Sequence, residues 1–381
     1  MTGSMPPRFV LIAIVVEFLL VPAVPIWARR VDCADGQTPP RQALQCDADG
    51  RVNGVCTFLR CRPCRRCDAR VQVFSCNNRH PIVVPVGGHR IHGRLRLHCL
   101  PATPIRTVFL ILLENYDWSS IKNSASAPYI NQTLLPIASH AEQYYNPPNL
   151  HPSLPNYLWL EAGTNFGIFN DNLPSQNHQS TTSHLVDLLE AAGLSWRAYE
   201  EGINGTDCPI TNEGNFYDVN HNPFVYFDDI TGNNNPSAPR CIQHVRPYAE
   251  LQTDLANNTV ARYNFITPDL CHDMHDSCAP MNDPMLQGDT WLSTEVPKIL
   301  ASRAYLDNGA LFILWDEGKS GDGPIGMIVL SPKAKGGGYA NTIAYDHSST
   351  LRTVEEIFGL TPMLGGAARA TDLRDLFVSF P

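Results

Sequence analysis

The stretch Val108-Phe-Leu-Ile-Leu-Leu113 is apolar at six consecutive positions and ends abruptly in Glu114-Asn115. Successive side chains of a strand point to opposite faces, so an unbroken apolar run requires cover on both faces, as in the middle of a parallel sheet. Runs of this kind recur at 262–267, 310–315 and 325–330, and segments with helical spacing lie among them at 182–192, 293–306 and 349–358. Strand and helix alternate, which predicts an α/β chain built as a three-layer α/β/α sandwich on a mainly parallel sheet. In such sheets ligands gather beyond the carboxyl ends of the strands. The polar residues that follow each run are therefore the first candidates for chemistry.

Three runs are followed at once by suitable residues: Glu114-Asn115, Thr267-Pro-Asp-Leu-Cys-His-Asp-Met-His-Asp276 and Asp316-Glu317. Tyr345-Asp-His347 comes later. Each alone reads more readily as turn chemistry, but the topology sends all of them to one crevice. Carboxylates and imidazoles buried together need a divalent cation to offset their mutual repulsion. Oxygen-rich ligation with one or two histidines is compatible with zinc, manganese, calcium or magnesium.

His151-Pro-Ser-Leu-Pro-Asn-Tyr157 precedes the mostly apolar stretch 158–162, which puts Ser153 where a loop enters a helix. Backbone N–H groups and the positive dipole end gather there and favour phosphate. A plain helix cap would use the same residue type at the same place. A serine near neutral pH is a poor nucleophile, and a divalent ion can lower the pKa of its hydroxyl without a histidine base. Ser153 and the carboxylates thus make one coherent catalytic set.

The segments Leu112-Leu-Glu-Asn115, His151 to Tyr157, Phe166-Gly-Ile-Phe-Asn-Asp-Asn172, Asp273-Met-His-Asp276, Trp315-Asp-Glu317 and Asp346-His-Ser-Ser-Thr-Leu-Arg-Thr-Val-Glu355 occur in this order. Together they resemble the phosphoesterase family of acid phosphatases and bacterial phospholipases C, within the alkaline phosphatase-like superfamily. The resemblance covers about residues 105–375 and implies that Ser153 forms a phosphoseryl intermediate. It implies that Glu114, Asn115, Asp316 and Glu317 hold the metal nearest that oxygen, and that Asp273, His275 and His347 form a second half binding another cation or the phosphate. Asn172 would hold a phosphate oxygen, Asp269 would be a further ligand or a turn residue, and His151 would be the general acid or a support for the loop.

The N-terminal third has a different texture. Arg8 precedes a long apolar stretch ending at Ala28 before Arg29-Arg30, the pattern of an export signal over residues 1–28. Of the 12 cysteines, eight lie between Cys33 and Cys99 and four between Cys208 and Cys278, even numbers that suit disulfides closed within each block. The Cys61, Cys64 and Cys67 cluster could instead hold zinc or an iron–sulfur cluster, and 81–99 reads as a small antiparallel hairpin. Residues 29–107 carry 14 Arg, no Lys and five Asp, whereas 108–381 carry 13 basic against 31 acidic residues. The expected organisation is a signal peptide, a cysteine-rich basic module at 29–100, a linker at 101–107 and a catalytic domain at 108–381.

The expected protein is a secreted, periplasmic or extracellular hydrolase of phosphate monoesters. A phosphodiesterase or phospholipase C is the second reading, and an inactive surface-binding protein the rival of another class. The basic module would rest on an anionic envelope or membrane surface, or simply against the acidic domain. The acidic balance of the catalytic part argues against nucleic acid as a partner.

Overall fold

The computed structural model describes residues 104–381, save 320 and 322, together with the backbone of five short strands before them. The chain divides into two compact units, Met1–Pro101 and Ala102–Pro381. In the first, Arg96–Pro101 pairs antiparallel with Gly54–Phe58 and with Ile26–Trp27, and Arg70–Phe74 pairs antiparallel with Pro81–Pro85. The two strands within 81–99 therefore do not form the expected hairpin with each other. The 70–74 strand lies nearer along the chain to Pro81–Pro85, and closing the shorter loop costs less entropy. The export-signal reading and the pairing of the first eight cysteines lie outside the described residues.

The second unit is built on one eight-stranded sheet. Its strands are β1 (Thr107–Leu113), β2 (Ser139–Ala141), β3 (Trp196–Glu200), β4 (Val245–Pro247), β5 (Tyr263–Thr267), β6 (Gly309–Trp315), β7 (Met327–Leu330) and β8 (Tyr339–Asn341). Their order across the sheet is β4-β3-β5-β1-β6-β7-β2-β8. The first five run parallel to one another, and β7 is antiparallel to both of its neighbours, β6 and β2. The 325–330 run is thus shorter than expected and reversed in direction, which an apolar pattern does not encode. Every residue of β1 and β6 is buried, so both faces of the sheet centre are covered, as their sequences require.

The principal helices are α1 (Ser153–Ala162), α2 (Leu185–Ala191), α3 (Ala249–Asn257), α4 (Pro284–Ala301) and α5 (His347–Phe358). Helices α1, α2 and α5 pack together, and α3 packs with α4. Helix α4 starts nine residues before the expected 293, because Asp283 accepts the N–H of Leu286 and Pro284 occupies the first turn, where its missing N–H costs nothing. Helix α1 ends at Gly163, whose φ of +68° and the Leu364 carbonyl 2.7 Å from where a Cβ would sit leave room for no other residue.

Register places the chemistry. Leu113 lies opposite Trp315 and Ile111 opposite Ile266, so Glu114, Asp316 and the loop after Thr267 leave the sheet side by side. Cys271–Cys278 closes that loop around Asp273 and His275, and Cys208–Cys241 ties the 200–245 region. The four later cysteines pair among themselves, as their block predicted.

Candidate active site at the strand ends

Glu114, Asp273 and Asp316 are fully buried and Glu317 nearly so. The Asn115 amide reaches Glu114 Oε2 and Asp316 Oδ1, both at 3.0 Å when its nitrogen is turned to donate. The backbone N–H of Asn115 also donates to Asp316 Oδ1, at 3.1 Å. Asn115 makes this turn with a φ of +24°, a conformation that asparagine tolerates better than most residues.

Ser153 is the first residue of α1, not its cap; Pro152 stands at the cap position. The serine Oγ donates to Glu114 Oε2 at 3.0 Å. The neighbouring Leu154 N–H is taken by Asp171 Oδ1 at 2.9 Å, so this helix start offers less free N–H than its sequence suggests. Glu114 Oε1 accepts from the Tyr157 hydroxyl at 2.6 Å.

His221, which sequence reasoning missed, joins the centre. Its Nε2 lies 3.3 Å from Glu114 Oε1 and its Nδ1 3.4 Å from Asp273 Oδ2. It comes from a short 3-10 turn, Val219–His221, and not from a strand end, so a search along strand ends passes over it. The available signal was a histidine set in the polar run Asp218-Val-Asn-His221-Asn222, outside any amphipathic pattern.

The remaining candidates fall as follows. His151 Nδ1 is 2.8 Å from Glu317 Oε2, at the rim. His275 donates its backbone N–H to Asp273 Oδ1 and sets its ring edge-on to His221, 6.0 Å between centroids. Both ring nitrogens of His347 are engaged by protein: Nε2 with the Asp316 backbone carbonyl at 2.6 Å and Nδ1 with the Tyr144 hydroxyl at 3.0 Å. Asn172 is exposed on the loop whose Asp171 holds Leu154. Asp269 sits with Glu201 and His272 in a separate half-buried group.

The electrostatics of the centre are those of crowded acids. Burial, then Asp316 and Asp273, push the Glu114 carboxyl well above the usual range, with His221 pulling the other way. Burial raises Asp316 to about 6, and burial together with Asp316 and Asp171 raises Glu317 to about 9. Burial opposes the charge on His221, but Glu114 and Asp273 overcome it and push its pKa up to about 10. Burial lowers His347 to about 4 and keeps it neutral.

The donor set fits a divalent cation. Asp316 Oδ2 is buried without a hydrogen-bond partner, Asp273 Oδ2 is met by His221 Nδ1 at 3.4 Å, and Glu114, His221 and Asp273 offer ligand atoms within 4.8 Å of one another. At the Asn115 amide two carboxylate oxygens converge on one point, which suits either an amide donor or a cation that takes the amide oxygen instead. Unpaired buried carboxylates are costly, and a cation offsets them.

The sequence aligns with known proteins. A phosphatidylinositol-3-phosphatase of Mycobacterium tuberculosis is 28% identical over 271 residues, 71% of this chain and 82% of that protein. An acid phosphatase of Aspergillus fumigatus is 27% identical over 68% of this chain, which spans only 55% of the fungal protein. A solved Vibrio parahaemolyticus structure of the alkaline phosphatase superfamily aligns with a TM-score of 0.48 at 12% identity, over 72% of each chain. The model of the Phosphoesterase family matches residues 141–361, which hold Ser153, His221, Asp273, Asp316 and Glu317. The chain belongs to the Phosphoesterase family, hydrolases of phosphoric ester bonds.

Proposed function

We propose that the protein hydrolyses phosphate monoesters through Ser153 in a metal-dependent reaction. The observation that carries this reading is the Ser153 hydroxyl, set at the first turn of α1 and hydrogen-bonded to a carboxylate buried among three others. The names of the mycobacterial and fungal relatives, a phosphoinositide phosphatase and an acid phosphatase, favour monoesters over diesters.

Glu114, Asn115, Asp316 and Glu317 would hold a cation beside the serine, and Asp273, His221 and His275 would form the second half of the site. His347 holds the Asp316 backbone through a neutral ring. A divalent cation bound there supplies positive charge that eases ionisation of the serine and offsets charge developing on the phosphoryl oxygens. Ser153 Oγ would lose its proton to solvent and form the bond to phosphorus as the bond from phosphorus to the ester oxygen breaks. His151, beside Glu317, would give that oxygen a proton or support its loop, and Asn172 would meet a phosphoryl oxygen. Water then cleaves the phosphoserine and restores the hydroxyl.

The N-terminal third supports export and surface attachment: residues 1–28 as a signal, and the basic module as the part that meets an anionic surface. Disulfides within the catalytic unit agree with an oxidising compartment. Among the described residues no helix is long and apolar enough to cross a membrane. The test is release of nitrophenol from p-nitrophenyl phosphate and from its bis-ester, with and without chelator. Faster turnover of the monoester, lost with chelator and restored by one of zinc, manganese, calcium or magnesium, is expected. Chelator-resistant turnover would contradict metal dependence, and preference for the bis-ester would move the assignment to a phosphodiesterase.

A further inference from the structure

We infer that Tyr157 and Asn156 are positioning residues, so that one face of α1 carries both the nucleophile and the donors that orient the carboxylates it works with. This rests on the metal-dependent reading above. Ser153, Asn156 and Tyr157 stand at i, i+3 and i+4, spacings that share a helix face. Tyr157 donates to Glu114 Oε1 at 2.6 Å while Ser153 donates to Glu114 Oε2 at 3.0 Å. Both oxygens of one carboxylate are thereby held by a single rigid element, which fixes the carboxylate plane relative to the attacking hydroxyl.

The same tyrosine acts on a second group. Its ring stacks on His221, 5.2 Å between centroids and 4° between planes, and His221 Nε2 faces the same Glu114 Oε1. Asn156, fully buried, donates to Glu317 Oε2 at 2.9 Å and to the backbone carbonyls of Leu150 and Pro152. It ties the loop bearing His151 to the carboxylate that His151 contacts. Carboxylates and imidazoles that hold metals depend on such outer contacts for their orientation, and losing one costs about 10- to 100-fold in metal affinity. A tyrosine that merely filled the core and found a partner for its hydroxyl would affect stability but not metal affinity.

The experiment is titration of the metal-free full chain with Mn²⁺ and with Zn²⁺, alone, for wild type, Tyr157→Phe, Asn156→Ala and Leu158→Ala. Leu158 lies on the same helix, buried in the core. Tyr157→Phe keeps the ring on His221 and removes only the donor. Its metal dissociation constant is expected to rise by roughly tenfold or more, while Leu158→Ala lowers the melting temperature and leaves affinity within roughly threefold of wild type. Tight wild-type binding with Tyr157→Phe unchanged within roughly threefold overturns this inference alone. Wild type that binds neither ion, and neither Ca²⁺ nor Mg²⁺ in the same titration, overturns the metal reading and this inference with it. Should Tyr157→Phe fail to fold, Asn156→Ala decides by the same thresholds.

Discussion

The backbone N–H of Glu114 donates to the backbone carbonyl of Asp273 at 2.7 Å, so two buried carboxylates are locked together where the end of β1 meets the loop that follows β5. Asp316 is joined to the same strand end by its own N–H, which donates to the Leu113 carbonyl at 2.9 Å. The acids that repel one another are thus held by main-chain bonds that do not depend on their protonation. The fold bears the cost of the crowding before any cation arrives.

The Cys271–Cys278 loop should matter more to the site than to the fold. Closing seven residues of separation is worth about 2.5 kcal/mol and closing 33, as Cys208–Cys241 does, nearer 4 kcal/mol on chain-entropy grounds. Replacing Cys271 and Cys278 by serine is expected to lower stability less than replacing Cys208 and Cys241, yet to weaken metal binding more, because Asp273 sits inside the smaller loop. Urea unfolding and metal titration on both double variants check this ordering.

How far the sequence reveals this site depends on the element that carries each residue. Glu114, Asp316 and Glu317 follow strands apolar throughout, and that pattern marks both the strand and its carboxyl end. His221 follows no strand and belongs to no periodic segment, so only the fold brings it to Glu114. The antiparallel course of β7 was equally hidden, since a short buried strand carries no sign of its direction. His347 was legible as a polar residue entering α5, but not the turn of its ring toward a backbone carbonyl, which depends on Tyr144 packing beside it.

His347→Ala is expected to destabilise the fold as well as the site. The substitution takes the His347 ring from the Asp316 carbonyl and from the Tyr144 hydroxyl, which keeps Thr350 Oγ1, and leaves a cavity between them. Losses of this kind run to about 2–4 kcal/mol, read as a shift of the urea midpoint. A variant as stable as wild type would show that the buried ring has no structural role.

His184 sets a pH dependence remote from the active site. It is fully buried, with Nδ1 3.3 Å from Glu161 Oε1 and Nε2 3.2 Å from Asp229 Oδ1, and Arg240 pairs with Asp187 and Asp229 beside it. Burial opposes its charge, but hydrogen bonds to Asp229 and Glu161 push its pKa up to about 9. An imidazolium favoured by the fold contributes stability that is whole below the unfolded value of about 6.5 and is lost as pH rises through about 9. The advantage of wild type over His184→Gln in urea unfolding should shrink by up to roughly 3 kcal/mol between about pH 6 and pH 9.5. A gap that stays constant or widens would contradict a charged His184.

The division of the chain at Pro101 and Ala102 leaves every candidate site residue in the second unit. A chain beginning at Ala102 is expected to retain turnover of a soluble monoester and to lose affinity for anionic vesicles. Vesicle sedimentation and nitrophenol release, measured on the full and shortened proteins, separate the two roles.

In the proposed reaction Ser153 attacks phosphorus in concert with the acids around it. Residues that act as one unit give non-additive losses, so Ser153→Ala, Asp316→Ala and the double variant are expected to show nearly the same residual kcat. Metal should stay bound in the first and be weakened in the other two. The most direct measurement is kcat of Ser153→Ala on p-nitrophenyl phosphate, with bound metal determined on the same sample. Loss of essentially all turnover with metal retained is the predicted result. Retention of more than about a tenth of wild-type kcat, a loss under ~1.4 kcal/mol, would contradict it and place the nucleophile elsewhere.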